Sequence, residues 1–106
     1  MRHLLAEETE VLKALGKRLK ALRLHRNETQ KLMGERLGLS RQAYARMENG
    51  DPKTPIGLWI FASSIFHRLQ DWDSVLLEEE NLFLRAEIEK KRNKRKRASR
   101  KRGQPR

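Results

Sequence analysis

The stretch that decides the fold runs Thr29-Gln30-Lys31-Leu32-Met33-Gly34-Glu35-Arg36-Leu37-Gly38-Leu39-Ser40-Arg41-Gln42-Ala43-Tyr44-Ala45-Arg46-Met47-Glu48-Asn49-Gly50. Thr29 and Ser40 carry side-chain oxygens that accept from the unpaired N–H groups of a helix start, so each is expected to cap a short helix. The first of these spans Gln30 to Leu37 and the next runs from Ser40 to about Asn49. Gly38 stands between them and can take the left-handed backbone that turns the chain. Leu39 follows as a plug for the core. Gly34 is small enough to let the two helices approach. Arg41 and Gln42 open the later helix and point outward.

Two short helices joined by a tight glycine turn make the helix-turn-helix arrangement, whose second helix enters the major groove of DNA. Working outward, the periodicity stays helical and shows no strand-like alternation. Leu12, Leu15, Leu19 and Leu22 lie on one face of a first helix, with Thr9 as its N-cap and Asn27 as a left-handed C-cap near Arg26. Asn49-Gly50-Asp51-Pro52 is turn chemistry. Pro55 opens a fourth helix with Leu58, Phe61, Ala62 and Ile65 on one face. Asp71, Trp72, Val75 and Leu76 suggest a short fifth. Leu84 and Ile88 continue a thin apolar stripe. The expected fold is all-α: a five-helix domain over residues 9–77, an acidic helical extension over 78–89, and a basic tail over 90–106. Like charges repel, so the tail is expected to be disordered, with Gly103-Gln104-Pro105-Arg106 as its frayed end.

The chain has 106 residues, 25 Lys+Arg, 14 Asp+Glu and a net charge of +11. With only 37% hydrophobic residues, a single core of modest size is expected. The absence of cysteine excludes a disulfide framework, a Cys-based metal site and a thiol nucleophile, and fits a reducing compartment. The charge is divided: basic to Arg68, acidic from Asp71 to Glu89, then without any acid from Lys90 to Arg106. A basic balance of this kind points to a polyanionic partner, nucleic acid before membrane. The run from Pro55 to Phe66 is shorter than the ~20 apolar residues a spanning helix needs. The start, Met1 to Glu8, turns acidic too early for a signal peptide, so a cytoplasmic location is expected. His3, His25 and His67 lack metal-ligand spacing, and Glu78-Glu79-Glu80 reads as a solvated face rather than paired catalytic carboxylates. No cofactor, metal or catalytic activity is expected.

Thr29-Gln30, Glu35-Arg36-Leu37-Gly38, Leu39-Ser40-Arg41-Gln42 and Met47-Glu48-Asn49-Gly50 stand in a spacing that resembles the Cro/C1-type (XRE) repressors of bacteria and phages. The resemblance covers about Leu15 to Trp72. The chain departs from the family at Glu28, where an apolar residue is usual, at Gly34, where Ala is usual, and at Tyr44, where Ile or Val is usual. The resemblance implies a homodimer that sets two recognition helices in successive major grooves of a roughly palindromic operator, with half-sites about 10 bp apart. Arg41, Gln42 and Arg46 are then the base readers: Arg forks onto the two acceptors of guanine, and Gln pairs with adenine. Gln30, Asn49, Lys53 and Thr54 lie where the backbone phosphates would run, and Thr29 and Ser40 flank them. Tyr44 is expected in the core with an edge near DNA. Trp59, Trp72 and Phe83 are expected either in the core or at a dimer or partner interface.

Gly50-Asp51-Pro52, then Gly57, then a charged extension with a basic end, further resemble the antitoxins paired with HipA-like serine/threonine kinase toxins. That resemblance implies autoregulation and a kinase partner. Two alternatives stand beside it: a phage-type repressor without a toxin, and a protein-interaction adaptor built on the helical domain. The basic tail would clamp DNA, dock on an acidic protein partner, or simply solubilise the chain.

Overall fold

The computed structural model describes residues 3–78 and 82–103 and is all-helical, with no strand among them. It divides into two compact units, one ending at Phe66 and the other starting at His67. Phe66 caps the fourth helix and His67 takes a left-handed φ of 58°.

The first unit holds α1 (Ala6–His25), α2 (Gln30–Leu37), α3 (Arg41–Glu48) and α4 (Ile56–Ile65). α1 begins before the expected cap at Thr9. The Glu8 carboxylate accepts from the Leu5 N–H at 2.9 Å, and the Thr9 N–H already donates to the Leu5 carbonyl at 2.9 Å. Glu7 and Glu8 also suit the positive end of the helix dipole. At the other end Asn27 takes φ 57°, as expected for a left-handed C-cap. Leu19 is buried and Leu12, Leu15 and Leu22 are half-buried, and the same stripe carries Gly16 and Arg23, both buried.

Gly16 is required by a close approach of backbones. A Cβ there would lie 2.0 Å from the Glu48 carbonyl oxygen, and one on Gly50 would lie 2.8 Å from the Leu12 carbonyl carbon. α1 and the end of α3 thus touch without side chains between them. Such contact sets α3 at a fixed height on α1.

α2 and α3 are capped as expected. Thr29 Oγ1 accepts from the Leu32 N–H and Ser40 Oγ from the Ala43 N–H, each at 3.1 Å. Gly38 sits at φ 72°, and the Leu39 N–H donates back to the Gly34 carbonyl at 2.7 Å. A Cβ on Gly34 would meet the Leu39 and Ser40 carbonyl oxygens at 2.9 and 3.2 Å. Gly34 therefore makes room for the turn backbone, rather than for the Tyr44 ring. Met33, Tyr44 and Met47 are fully buried, joined by Leu19, Leu37, Trp59, Ala62 and Phe66. Burying such a side chain contributes about 1.5–3 kcal/mol.

α4 is rotated relative to expectation. Its inward stripe is Trp59, Ala62 and Phe66, while Phe61 is 49% exposed and Ile56 64% exposed. Leu58 and Ile65 are half-buried at the flanks. The 3–4 spacing from Trp59 puts the largest apolar surface inside, and that outweighs the aliphatic face read from the sequence.

The second unit holds a 3₁₀ turn (Leu69–Ser74) and α5 (Leu82–Gly103). The expected fifth helix is thus reduced. Val75 and Leu76 lie beyond it, 53% and 100% exposed, and Leu76 has φ 59°. Arg68 Nε pairs with Asp71 at 2.9 Å, and Arg95 pairs with Asp73. α5 continues through Lys90, where disorder was expected. Lys, Arg and Ala are strong helix formers, and Glu87–Lys90 (3.7 Å) and Glu89–Arg92 (3.8 Å) add pairs one turn apart. Ile88 of the thin stripe is half-buried, whereas the Leu84 side chain, Glu79, Glu80 and the frayed end Gln104–Arg106 lie outside the described residues. Among the described residues no helix is long and apolar enough to cross a membrane.

Candidate DNA-binding interface

α3 has two unlike faces. Tyr44, Met47 and Glu48 are buried, whereas Arg41, Gln42, Arg46 and Asn49 are exposed. The exposed positions recur at spacings that share one side of a helix, so the polar groups form a single outward row. The Ser40 cap and the Gly38 turn fix where that row begins. Asn49 ends it: its N–H donates to the Ala45 and Arg46 carbonyls at 3.1 Å, and its side chain is left at the surface.

Behind the row lies an ion pair that the sequence did not announce. Arg23 Nε donates to Glu48 Oε2 at 2.7 Å and Nη2 to Oε1 at 3.2 Å, with the two side chains only 7% and 2% exposed. Arg23 Nη1 also donates to the Glu28 carbonyl at 2.8 Å, so one guanidinium ties α1 to both ends of the α2–α3 hairpin. Burial alone would raise the Glu48 pKa. The Arg23 guanidinium, with Tyr44 and Gln30 beside it, outweighs that and holds the carboxyl below its ordinary value. Pairing with Glu48 raises the Arg23 pKa despite its burial. Burial foremost, and the Glu48 charge after it, pushes the Tyr44 hydroxyl well up, so it stays protonated.

Gln30 carries this network to the surface. Its Nε2 donates to Glu48 Oε1 at 3.1 Å, and its Oε1 accepts from Arg41 Nη1 at 3.2 Å. Arg46 is held more loosely, 4.0 Å from Asp51, with its side chain 63% exposed. Asp51 also accepts from the Lys53 N–H at 3.0 Å, which places the Lys53 backbone at the end of the row. Glu28, the departure from an apolar position, is accounted for by ion pairs to Arg36 and, at 3.7 Å, to Arg26.

The structure thus links Gln30 to Arg41, and Arg46 through Asp51 to the Lys53 backbone. Gln42 and Asn49 share the α3 face with the two arginines. Thr29 and Ser40 are exposed at the helix starts; their oxygens already accept a backbone bond, and their O–H groups remain available to donate to a phosphate. Thr54 is half-buried. Tyr44 is set apart from them, at 0% exposure on the core side of α3. Trp59, 6% exposed, is packed into the first unit's own core. Trp72 is half-buried and Phe83 is 72% exposed, both in the second unit. His3, His25 and His67 are all exposed.

Residues 14–59 match the family model described as a helix-turn-helix domain. Comparison with curated proteins and with solved structures gave no match. The match spans Leu15, Leu19 and Leu22 of the α1 stripe, the whole α2–α3 hairpin and the first turn of α4. The all-α fold and the match over residues 14–59 agree on a helix-turn-helix fold, an arrangement whose second helix docks in the DNA major groove when such a motif binds DNA.

Proposed function

We propose that this protein is a sequence-specific transcriptional repressor that occupies a promoter as a homodimer on a roughly palindromic operator. One observation carries this proposal. α3 buries Tyr44, Met47 and Glu48 while leaving Arg41, Gln42 and Arg46 bare in a row behind a rigid turn. Arg41 and Arg46 suit guanine, and Gln42 suits adenine. Gln30, Asn49, Lys53, Thr29 and Ser40 suit the phosphates on either side. An adaptor that no longer bound DNA would have no need of such a row.

The test is selection of bound duplexes from a random pool by the full chain, followed by a shift assay against random competitor. An enriched palindromic sequence with half-sites about 10 bp apart is expected. Equal binding to enriched and random DNA would overturn the proposal.

Within this class, the layout of Gly50-Asp51-Pro52, Gly57 and a charged C-terminal helix favours the autoregulating antitoxin of a HipBA-like module over a phage-type repressor without a partner. Gly50, at φ 82°, and Asp51, which accepts from Lys53, are also what the turn itself requires, so the weight falls on the extension. The bacterial cytoplasm, with the nucleoid when bound, is the corresponding location. Co-purification of a serine/threonine kinase from the native host is the expected result, and recovery of the repressor alone would remove the antitoxin assignment.

A further inference from the structure

We propose that the basic half of α5 is a second DNA-binding element, one that grips duplex phosphates without reading sequence. This rests on the DNA-binding proposal above and goes beyond the α3 row. Of residues 90–102, all but Asn93, Ala98 and Ser99 are Lys or Arg, and none is acidic. The segment is helical. At 1.5 Å per residue it presents a rod of cations about 20 Å long. At about 100° per residue the basic positions fall at registers all round the helix rather than in one stripe.

Composition decides the occupant. An interfacial membrane helix needs an apolar face of Leu, Phe or Trp, and Ala98 is the one apolar residue from 90 to 102. A protein partner would be recognised through aromatic or aliphatic anchors, which the segment lacks. Single-stranded nucleic acid would call for aromatic rings to stack on the bases, and there are none. The phosphates of duplex DNA ask only for positive charge at close range. Arg95 ties the helix to Asp73 of the preceding 3₁₀ turn, while Lys90 and Arg92 pair with Glu87 and Glu89 within it. Beyond Lys90, Arg92 and Arg95, seven basic positions remain for a duplex: Lys91, Lys94, Lys96, Arg97, Arg100, Lys101 and Arg102.

The magnitude follows from counterion release. About half of the unengaged cations can face one duplex at once, so α5 would neutralise about 4 phosphates and steepen the salt slope by about 3 to 4. Between about 50 and about 200 mM salt that slope alone changes affinity by about 150-fold.

The experiment compares the full chain with a variant in which Lys91, Lys94, Lys96, Arg97, Arg100, Lys101 and Arg102 are each replaced by Gln, leaving Lys90, Arg92 and Arg95 in place. Binding to an enriched duplex and to a random duplex is measured by fluorescence anisotropy across a KCl series, and helicity by circular dichroism. The variant is expected to lose affinity for both duplexes by the same factor. Its slope should be shallower by about 3 to 4, with the ratio of the two affinities unchanged. A second variant with Lys91, Lys94, Lys96 and Lys101 changed to Arg keeps the charge and should keep the slope, whatever its effect on helix stability. An unchanged slope in the Gln variant overturns the proposal, as does a loss confined to the enriched duplex. Binding of that variant to anionic vesicles or an acidic protein more weakly than the full chain, with its DNA slope unchanged, would assign the helix to those partners instead. If the full chain prefers no duplex yet shows the α5-dependent slope, the base-reading proposal fails and this one stands.

Discussion

Replacing Glu48 with Leu would leave the Arg23 guanidinium, 7% exposed, in the core without its counter-charge. Breaking a buried pair from one side costs about 3–5 kcal/mol, because the surviving ion has lost both water and partner. Arg23→Met is expected to cost a similar amount for the opposite reason, leaving a carboxylate only 2% exposed. The double change, Arg23→Met with Glu48→Leu, removes both charges and restores apolar contact, so it should lie close to the starting stability. Small domains have about 5–15 kcal/mol in total, so each single variant would sit near the edge of folding. Urea denaturation of the full chain, followed by circular dichroism, measures all four corners of the cycle. The expected coupling is above about 3 kcal/mol. The pH dependence adds an independent check. Glu48 titrates below its ordinary value in the fold, so its contribution is fully present above the unfolded pKa of about 4.3 and is lost as pH falls through the lower folded value. Below pH of about 4 the parent should lose stability faster than the double variant. A single-variant cost under about 1 kcal/mol would refute the reasoning, since that is the range of a solvated surface pair.

Three further outcomes are expected. Gly16→Ala puts a Cβ 2.0 Å from the Glu48 carbonyl oxygen and should cost at least the upper end of about 1–3 kcal/mol, read as a fall in the urea midpoint. Gly38→Ala meets nothing within 4 Å but must hold φ 72°, so its cost should be the backbone penalty alone, about 1–2 kcal/mol by the same measurement. Arg41→Ala should relax the preference at one base position by about 1–3 kcal/mol in a duplex-selection experiment, whereas Lys53→Ala should weaken all duplexes alike.

The α2–α3 hairpin was legible because each of its signals is local. Thr29, Gly38 and Ser40 act on backbone groups within three or four residues, and turn chemistry does not depend on what packs above it. The outward row on α3 was legible for the same reason. The face of α4 was not: Leu58–Phe61–Ala62–Ile65 and Trp59–Ala62–Phe66 are both sound helical stripes, and the choice between them is made by what α4 packs against. The buried pair was hidden by composition habits, since Arg and Glu read as surface residues. It left two traces nonetheless. Arg23 falls in register with Leu19 on the leucine stripe, and Glu48 falls in register with Tyr44 on the inner face of α3. Opposite charges on two apolar faces are expected to find each other. Gly16 left a trace of its own, because a glycine inside a helix costs about 1 kcal/mol against Ala and is kept for close packing. The helix over the basic half of α5 draws on what repulsion leaves out, the helix propensity of Lys and Arg and the acids one turn earlier.

The same network bears on how the two arginines of α3 would read DNA. Arg41 is held by the amide of Gln30, whose other end is fixed on the buried Glu48 carboxylate. Arg46 leans on Asp51 at 4.0 Å in solvent, a contact worth little. Immobilising a free, rotamer-rich side chain on binding costs about 0.5–1.5 kcal/mol, and prior ordering reduces that cost. Arg41 is therefore the better preorganised of the two. Gln30→Ala should raise the cost of using Arg41 while leaving Arg46 as it was. The expected result is a weaker preference at the base Arg41 contacts, by up to about 1 kcal/mol, with the preference at the Arg46 position intact. A phosphate contact by Gln30 alone predicts something else, an equal loss on every duplex. Comparing base preferences position by position, rather than overall affinity, separates the two. A uniform loss would mean that the Gln30–Arg41 bond gives way on DNA and that Gln30 serves the backbone instead.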